Sequence, residues 1–151
     1  MKKNTSSTLG TLKQNGVHLY EHEYFTIKTL LEHSHSIELV HPSNIEGLHL
    51  PDIYIDGIPW EIKAPEGNGK NTIKHSIQKA LLQSPNIILD LRRCKLKQSD
   101  AIKEAEKNFR LSKRVHRMKL IMFGNQYVSS GKPLYFNKAE GNDYIILDYR
   151  R

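Results

Sequence analysis

Apolar residues recur with the period of an α-helix in three segments of the chain, 20–32, 71–83 and 99–115. Asn71 is the predicted N-cap of the second helix, and Ser84-Pro85-Asn86 ends it. The side chains expected to face inward are Tyr24, Ile27, Leu30 and Leu31 in the first helix, Ile73, Ile77, Ala80 and Leu81 in the second, and Ile102, Ala105 and Phe109 in the third.

Alternating or continuous apolar runs predict strands at 36–41, 52–55, 58–63, 87–91, 118–123 and 143–149. Asp56-Gly57 is typical of a two-residue hairpin turn, in which Ile55 pairs with Ile58. The run at 87–91 is expected to be a buried central strand, and the last run an edge strand. Strands joined through helices imply a mixed sheet with helices on both faces. The predicted fold class is therefore α/β.

The composition is that of a soluble globular domain. The chain has 151 residues, of which 38% are hydrophobic and 26% charged, which suits one domain. We expect a polar, mobile arm at 1–17, which lacks the apolar stretch of a secretory signal, followed by a single domain at 18–151. The lone Cys94 excludes an internal disulfide. No apolar run approaches the length of a membrane span, so no membrane partner is expected.

Positive charge is concentrated in one part of the chain. The formal net charge is +7 at pH 7, with 23 Lys and Arg against 16 Asp and Glu. Between residues 91 and 120, eleven Lys or Arg stand against three acids, so this stretch is +8 and the rest of the chain is −1. Such a concentration favours a polyanion partner, such as nucleic acid, over a merely solvated helix surface.

Two carboxylates and an amine fall on the predicted hairpin. Asp52 opens one strand, and Glu61 and Lys63 lie on the other. The two-residue turn would set Asp52 opposite Glu61, and Lys63 would share the face of Glu61 because side chains alternate along a strand. Facing carboxylates are destabilising unless a cation lies between them. With the backbone carbonyl of Ile62 they form an oxygen-only set that suits Mg²⁺ (or Mn²⁺). The alternative to a metal site is an exposed hairpin on which these charges form an ordinary ion pair.

Pro51-Asp52, then eight residues, then Glu61-Ile62-Lys63 resembles the PD-(D/E)XK nuclease signature. The order of predicted elements resembles the restriction-endonuclease-like αβββαβ core of that superfamily, in which helices flank a mixed central sheet. The resemblance implies a metal-dependent nuclease. Asp52 and Glu61, with the Ile62 carbonyl, would bind the metal, and Lys63 would be the catalytic amine.

The stretch from Leu50 through DGIPWEIKAPEG, followed by NTIKHSIQKALLQSPNIILDLRR, is similar to the C-terminal toxin domains of contact-dependent growth inhibition systems, which include members that cleave tRNA. This resemblance implies RNA, in particular tRNA, as the substrate and an acidic immunity protein as a neutralising partner. It also implies a domain delivered as part of a larger secreted toxin and acting in the cytoplasm. The residues themselves do not separate RNA from DNA.

Further residues complete the predicted site. The nuclease resemblance implies an additional acid on the first helix, for which Glu23 is the candidate and Glu21 and Glu32 are rivals. The side chains expected to contact substrate are Lys70, Lys74, Gln78, Gln83, Arg92 and Arg93. Three alternatives stay open: a DNA endonuclease of the same fold, a non-catalytic nucleic-acid-binding protein, and metal-independent RNA cleavage through His75.

Overall fold

The computed structural model describes residues 10–124 and 144–151. In these residues it contains three α-helices and seven strands in the order β1–β2–β3–β4–β5–β6–β7, so the predicted α/β class with a mixed sheet is confirmed. The strands are β1 (Thr11–Lys13), β2 (Ser36–Leu39), β3 (Ile53–Ile55), β4 (Ile58–Lys63), β5 (Asn86–Asp90), β6 (Arg117–Phe123) and β7 (Tyr144–Arg150). The helices are α1 (Glu21–Leu31), α2 (Thr72–Ala80) and α3 (Gln98–Leu111). No helix of the described residues is both long and apolar enough to cross a membrane.

The chain divides into two compact units, Met1–Trp60 and Glu61–Arg151, and each is described by itself. Strand β4 contributes residues 58–60 to the first unit and 61–63 to the second. The single domain predicted over 18–151 stays a prediction. Residues 1–9 of the predicted arm, the predicted 124–132 loop after Gly124, and Asp143 at the start of the last predicted strand lie outside the described residues.

Helix α1 of the first unit buries a face that is only partly the one expected. Ile27 and Leu30 are buried as predicted, but Tyr24 is 54% exposed. Thr26 and Thr29 are buried instead, and their hydroxyls donate to the carbonyls of His22 and Phe25 at 3.2 and 3.0 Å. Because these bonds satisfy the hydroxyls inside the helix, threonine can occupy the inward face. The prediction for Tyr24 was wrong.

Strands β1 to β3 and the start of β4 form the sheet of the first unit. β1 runs parallel to β2, and β2 runs antiparallel to β3 with Leu39 opposite Ile53. β1 lies within the segment predicted to be a mobile arm. Main-chain bonds hold this polar segment in place, from Gly10 N–H to the Leu31 carbonyl at 2.9 Å and from Thr11 N–H to the His35 carbonyl at 3.0 Å. Such bonds need no apolar side chains, so the hydrophobic pattern did not reveal this strand.

Two parallel crossovers build the second unit. β4 runs parallel to β5 and β5 parallel to β6, with α2 and α3 in the connections, while β7 is antiparallel to β6 at the edge as predicted. Every residue of β5 is buried, as expected of a central strand. One apolar core joins the two helices to the strands, and its fully buried members are Ile73, Ala80, Ile87, Leu89, Ala105, Val115, Met118, Leu120, Met122 and Ile145.

The helices of the second unit end earlier than the periodicity predicts. α3 stops at Leu111, and Ser112 is already extended with ψ of 104°. Val115 is buried in the core, so its apolar character reflects packing after the helix end. α2 likewise ends at Ala80, three residues before Gln83. Periodicity alone cannot separate a helical residue from a buried residue that follows the helix.

Candidate functional site

The hairpin turn forms as the sequence predicts. Asp56 and Gly57 have φ of 48° and 85°, the left-handed values that a two-residue hairpin requires. Ile55 pairs with Ile58, and Ile53 with Trp60, which confirms the predicted register of β3 and β4. Asp56 also accepts hydrogen bonds at Oδ1 from Ser36 N–H at 2.7 Å and His35 N–H at 3.1 Å. Its carboxylate therefore anchors the turn to the start of β2, a role that the sequence did not reveal.

Asp52 departs from this regular register. Its N–H donates to the Trp60 carbonyl at 3.1 Å, although Trp60 is already paired with Ile53, and its own carbonyl accepts from Val40 N–H at 2.9 Å. Two successive residues thus oppose one, which is a β-bulge. The Asp52 residue is exposed. The regular register stops at Ile53, so the predicted cross-strand pairing of Asp52 with Glu61 was wrong, because the bulge sets Asp52 opposite Trp60. The metal-binding role of Asp52 stays a prediction.

Glu61 and Lys63 form a close ion pair on β4. Glu61 is opposite Ile87 and Lys63 opposite Leu89, so both side chains share the sheet face that packs on α2 and α3. Lys63 Nζ lies 3.4 Å from Glu61 Oε2, and the side chains are 31% and 6% exposed. Burying a carboxylate is costly unless a cation compensates it. Lys63 therefore stabilises the charged form of Glu61, while its amine keeps access to solvent.

The loop after β4 is held by the segment after β5. Arg93 Nη2 pairs with Glu66 Oε2 at 2.7 Å, and Lys95 N–H donates to the Gly67 carbonyl at 3.3 Å. At Gly67 a Cβ would meet Thr72 Oγ1 at 2.9 Å, so a larger residue would force the Thr72 side chain to move. These contacts hold the carboxyl ends of β4 and β5 together. In parallel sheets, ligands bind outside such strand ends.

Arg92 is an internal residue of this region. Its Nε and Nη2 donate to Asp90 Oδ1 and Oδ2 at 2.9 and 2.7 Å, and the two side chains are only 4% and 6% exposed. Asp90 Oδ1 also accepts from Arg92 N–H at 3.2 Å, at the start of a short 3₁₀ turn. A buried bidentate pair of this kind fixes a turn. Of the two predicted substrate-binding arginines, Arg93 is thus the more accessible one, with a side chain 36% exposed.

The predicted substrate contacts on α2 are mostly at its surface. Lys70, Lys74 and Gln78 are exposed, whereas Gln83 is partly buried beyond the helix end. His75 is exposed as well. Asn71 occupies the N-cap position without a side-chain cap bond. Lys74 and Gln78, four residues apart, share a helix face, so they can contact one ligand.

Glu23, the predicted extra acid, caps α1 in the first unit. Its Oε1 accepts from Tyr20 N–H at 2.9 Å, which forms one half of a capping box. The rival Glu21 is exposed in the first turn, and Glu32 is the C-cap. Capping of α1 is therefore enough to explain the presence of Glu23 at this position. Its catalytic role stays a prediction.

The donor set predicted for the metal contains only oxygen atoms. Within residues 10–124 and 144–151, no group of three or more His, Cys, Asp or Glu side chains is placed to hold a metal ion. The predicted set needs only two carboxylates and a carbonyl. On β4, the buried Glu61 carboxylate and the adjacent Ile62 supply hard oxygen atoms of the type that Mg²⁺ prefers.

Comparison with known proteins identifies the family. The family described as "Contact-dependent growth inhibition CdiA C-terminal domain" matches residues 49–127, just over half of the chain. No curated protein matches. A solved structure described as "CdiA-CT/CdiI toxin and immunity complex from Burkholderia pseudomallei" has a similar fold, with a TM-score of 0.60 at 15% identity, and the match covers 94% of this chain and 100% of that one. The chain therefore belongs to the contact-dependent growth inhibition CdiA C-terminal domain family.

Proposed function

We propose that this chain is a nuclease toxin domain of the PD-(D/E)XK type that hydrolyses phosphodiester bonds of RNA, in particular tRNA. The observation that carries the proposal is the Glu61–Lys63 pair. A buried carboxylate lies 3.4 Å from a partly exposed amine on β4, inside the region that matches the toxin family. The preference for RNA over DNA rests on the resemblance to tRNA-cleaving toxin domains.

Lys63 is assigned the role of the catalytic amine. The buried Glu61 holds this amine close to β4. From there Lys63 can orient an attacking water and stabilise the negative charge that develops on the phosphoryl oxygens. Glu61, the Ile62 carbonyl and Asp52 would hold a Mg²⁺ or Mn²⁺ ion, which supplies Lewis-acid activation of water and phosphate when bound.

The proposed substrate contacts lie on the segments that follow β4 and β5 in the chain. Lys70, Lys74 and Gln78 are exposed at the start and on one face of α2, and Arg93 is partly exposed beside Glu66. Cations at such positions bind phosphates without reading sequence. An acidic immunity protein is the proposed partner. The similar structure is described as a toxin and immunity complex, and such a partner complements a chain of net charge +7.

The test is a cleavage assay with labelled tRNA and duplex DNA, with Mg²⁺ or with EDTA. Wild type, Glu61→Gln and Asp52→Ala are compared with Glu46→Gln, a matched control at an exposed glutamate of the first unit. We expect metal-dependent cleavage of tRNA by wild type and the control only. Cleavage in EDTA that His75→Ala abolishes would replace this mechanism with attack by the 2′-hydroxyl. Salt-sensitive binding without any cleavage would leave only a nucleic-acid-binding module.

A further inference from the structure

A basic cleft opens at the amino-terminal ends of β5 and β6. It has a volume of about 640 Å³, and its lining residues are Asn86, Lys113, His116, Arg117, Arg150 and Arg151. Asn86 begins β5, Arg117 begins β6 and Arg150 ends the antiparallel β7, so three strand ends meet here. The lining contains no acidic residue. We call this set of residues the basic cleft.

Two arginines of the basic cleft lie directly opposite each other. Arg117 on β6 is the cross-strand partner of Arg150 on β7, an arrangement that is destabilising for like charges. The next cation on the same face, Lys119, pairs with Asp148 at 2.6 Å. Among the described residues, none of the five salt bridges includes Lys113, Arg117 or Arg150. A bound anion would supply the missing negative charge.

The rim of the basic cleft is held in place by the rest of the second unit. Arg151 donates from Nε to the Val115 carbonyl at 2.7 Å and from Nη2 to the Ser112 carbonyl at 2.6 Å and to the Phe109 carbonyl. Its guanidinium also lies 4.4 Å from the centre of the Phe109 ring. His116 N–H donates to the Pro85 carbonyl at 2.8 Å, and the His116 carbonyl accepts from Arg151 N–H at 3.2 Å. A preformed rim reduces the ordering cost of binding.

We infer that the basic cleft binds the phosphodiester backbone of nucleic acid, away from Glu61 and Lys63. Guanidinium groups bind phosphate through two parallel hydrogen bonds, and two of them face one cleft here. A concave site with several cations suits a projecting phosphate better than a flat acidic protein surface. This inference rests on the proposed nucleic-acid partner but does not require cleavage.

The distance between the two regions limits the substrate that could contact both. Lys63 is on β4 at the level of Leu89, whereas Arg150 is on β7 at the level of Arg117 and Asn86. At 3.3 Å per residue and 4.8 Å between strands, these positions are roughly 15–20 Å apart. Arg117 and Arg150 alternate with core-facing neighbours on β6 and β7, so their side chains project from the sheet face opposite to that of Lys63. A ligand that contacts both regions must therefore extend further than this in-plane distance, and a dinucleotide is too short to do so.

The test measures binding of fluorescent tRNA by anisotropy at several KCl concentrations, with Lys63→Ala as the common background. Arg117→Gln/Arg150→Gln is compared with Lys103→Gln/Lys107→Gln, which removes the same charge from exposed positions on α3. Circular dichroism confirms that both variants fold. We expect the cleft variant to bind about tenfold more weakly, with a slope of log Kd against log salt reduced by about two. Equal effects in the two variants would overturn the inference.

A second measurement addresses an acidic protein as the occupant. The same variants are titrated with poly-L-glutamate, and a loss of affinity equal to that for tRNA would assign the basic cleft to an acidic protein surface and overturn the inference. Cleavage of tRNA by wild type is followed separately. If wild type cleaves tRNA and the two double variants bind tRNA equally, only the inference about the basic cleft is refuted. If only the cleft variant loses tRNA binding and wild type does not cleave tRNA, only the proposed nuclease activity is refuted.

Discussion

Two regions of the second unit treat their charges in opposite ways. Around the carboxyl ends of β4 and β5, each described acid is matched with a base in the pairs Glu61–Lys63, Glu66–Arg93 and Asp90–Arg92, which we call the paired cluster. In the basic cleft, cations face one another without an acid in the lining. The contrast separates charges that the fold itself neutralises from charges that a ligand is left to neutralise.

The paired cluster shows that proximity of opposite charges does not by itself indicate function. Asp90 and Arg92 are almost fully buried, and their bidentate bonds fix a turn. Lys63 differs because its side chain is 31% exposed while its carboxylate partner is buried. Accessibility of the amine, together with its neighbour's burial, distinguishes a candidate catalytic pair from a structural one.

The largest expected effect is the loss of cleavage in Lys63→Ala. Removing a group that orients water or stabilises phosphoryl charge should lower kcat for tRNA cleavage by about 10²- to 10⁴-fold. Lys79→Ala, an exposed lysine in the last turn of α2, is the matched control and should cleave like wild type. Single-turnover cleavage rates measure the effect. Equal rates for the two variants would remove Lys63 from the mechanism.

The next largest effect is on stability, in Asp90→Ala. The substitution leaves the Arg92 guanidinium buried without its carboxylate, which should reduce the free energy of unfolding by about 3–5 kcal/mol. Asp90→Leu/Arg92→Met removes both charges and should cost much less. Urea denaturation compares the two. If the double variant were less stable than Asp90→Ala, the ion pair would make a net contribution to the free energy of unfolding.

Arg150→Gln should change stability in the opposite direction. Relief of the cross-strand repulsion from Arg117 should raise the free energy of unfolding by about 0.2–1 kcal/mol at low salt. The gain should disappear near 1 M KCl, where charges are screened over a few ångströms. Thermal melts at the two salt concentrations provide the measurement. A destabilised variant at low salt would mean that Arg150 has a favourable contact in the free protein.

Glu66→Gln should have the smallest effect. Its partner Arg93 and Glu66 itself are 36% and 60% exposed, so loss of the pair should cost no more than about 1 kcal/mol. Binding of tRNA should strengthen slightly, because Arg93 is then available to phosphate and one negative charge is removed. Anisotropy at low salt tests this. A large loss of stability would show that the pair, and not the backbone bond from Lys95 to Gly67, holds the loop.

The sequence predicted elements best where side-chain pattern and turn chemistry agree. The Asp56-Gly57 turn, the register of Ile55 with Ile58 and the bounds of β4 were all confirmed. The inward position of Tyr24 was wrong, because threonines that bond within α1 took that face. Only part of the predicted site could be described from the sequence. The spacing of Asp90, two residues before Arg92, indicates that the two side chains could form a local ion pair. It does not indicate that both side chains would be buried.

The α/β class, the hairpin and the placement of Glu61 and Lys63 on one strand face could be predicted from local pattern, because they depend on periodicity and on a turn that glycine makes favourable. The bulge at Asp52, the burial of Arg92 and the pairing of Arg117 with Arg150 arise only when the chain folds. Each of these depends on which distant segments become neighbours. Burial and cross-strand pairing are properties of the whole unit, and no local pattern of residues encodes them.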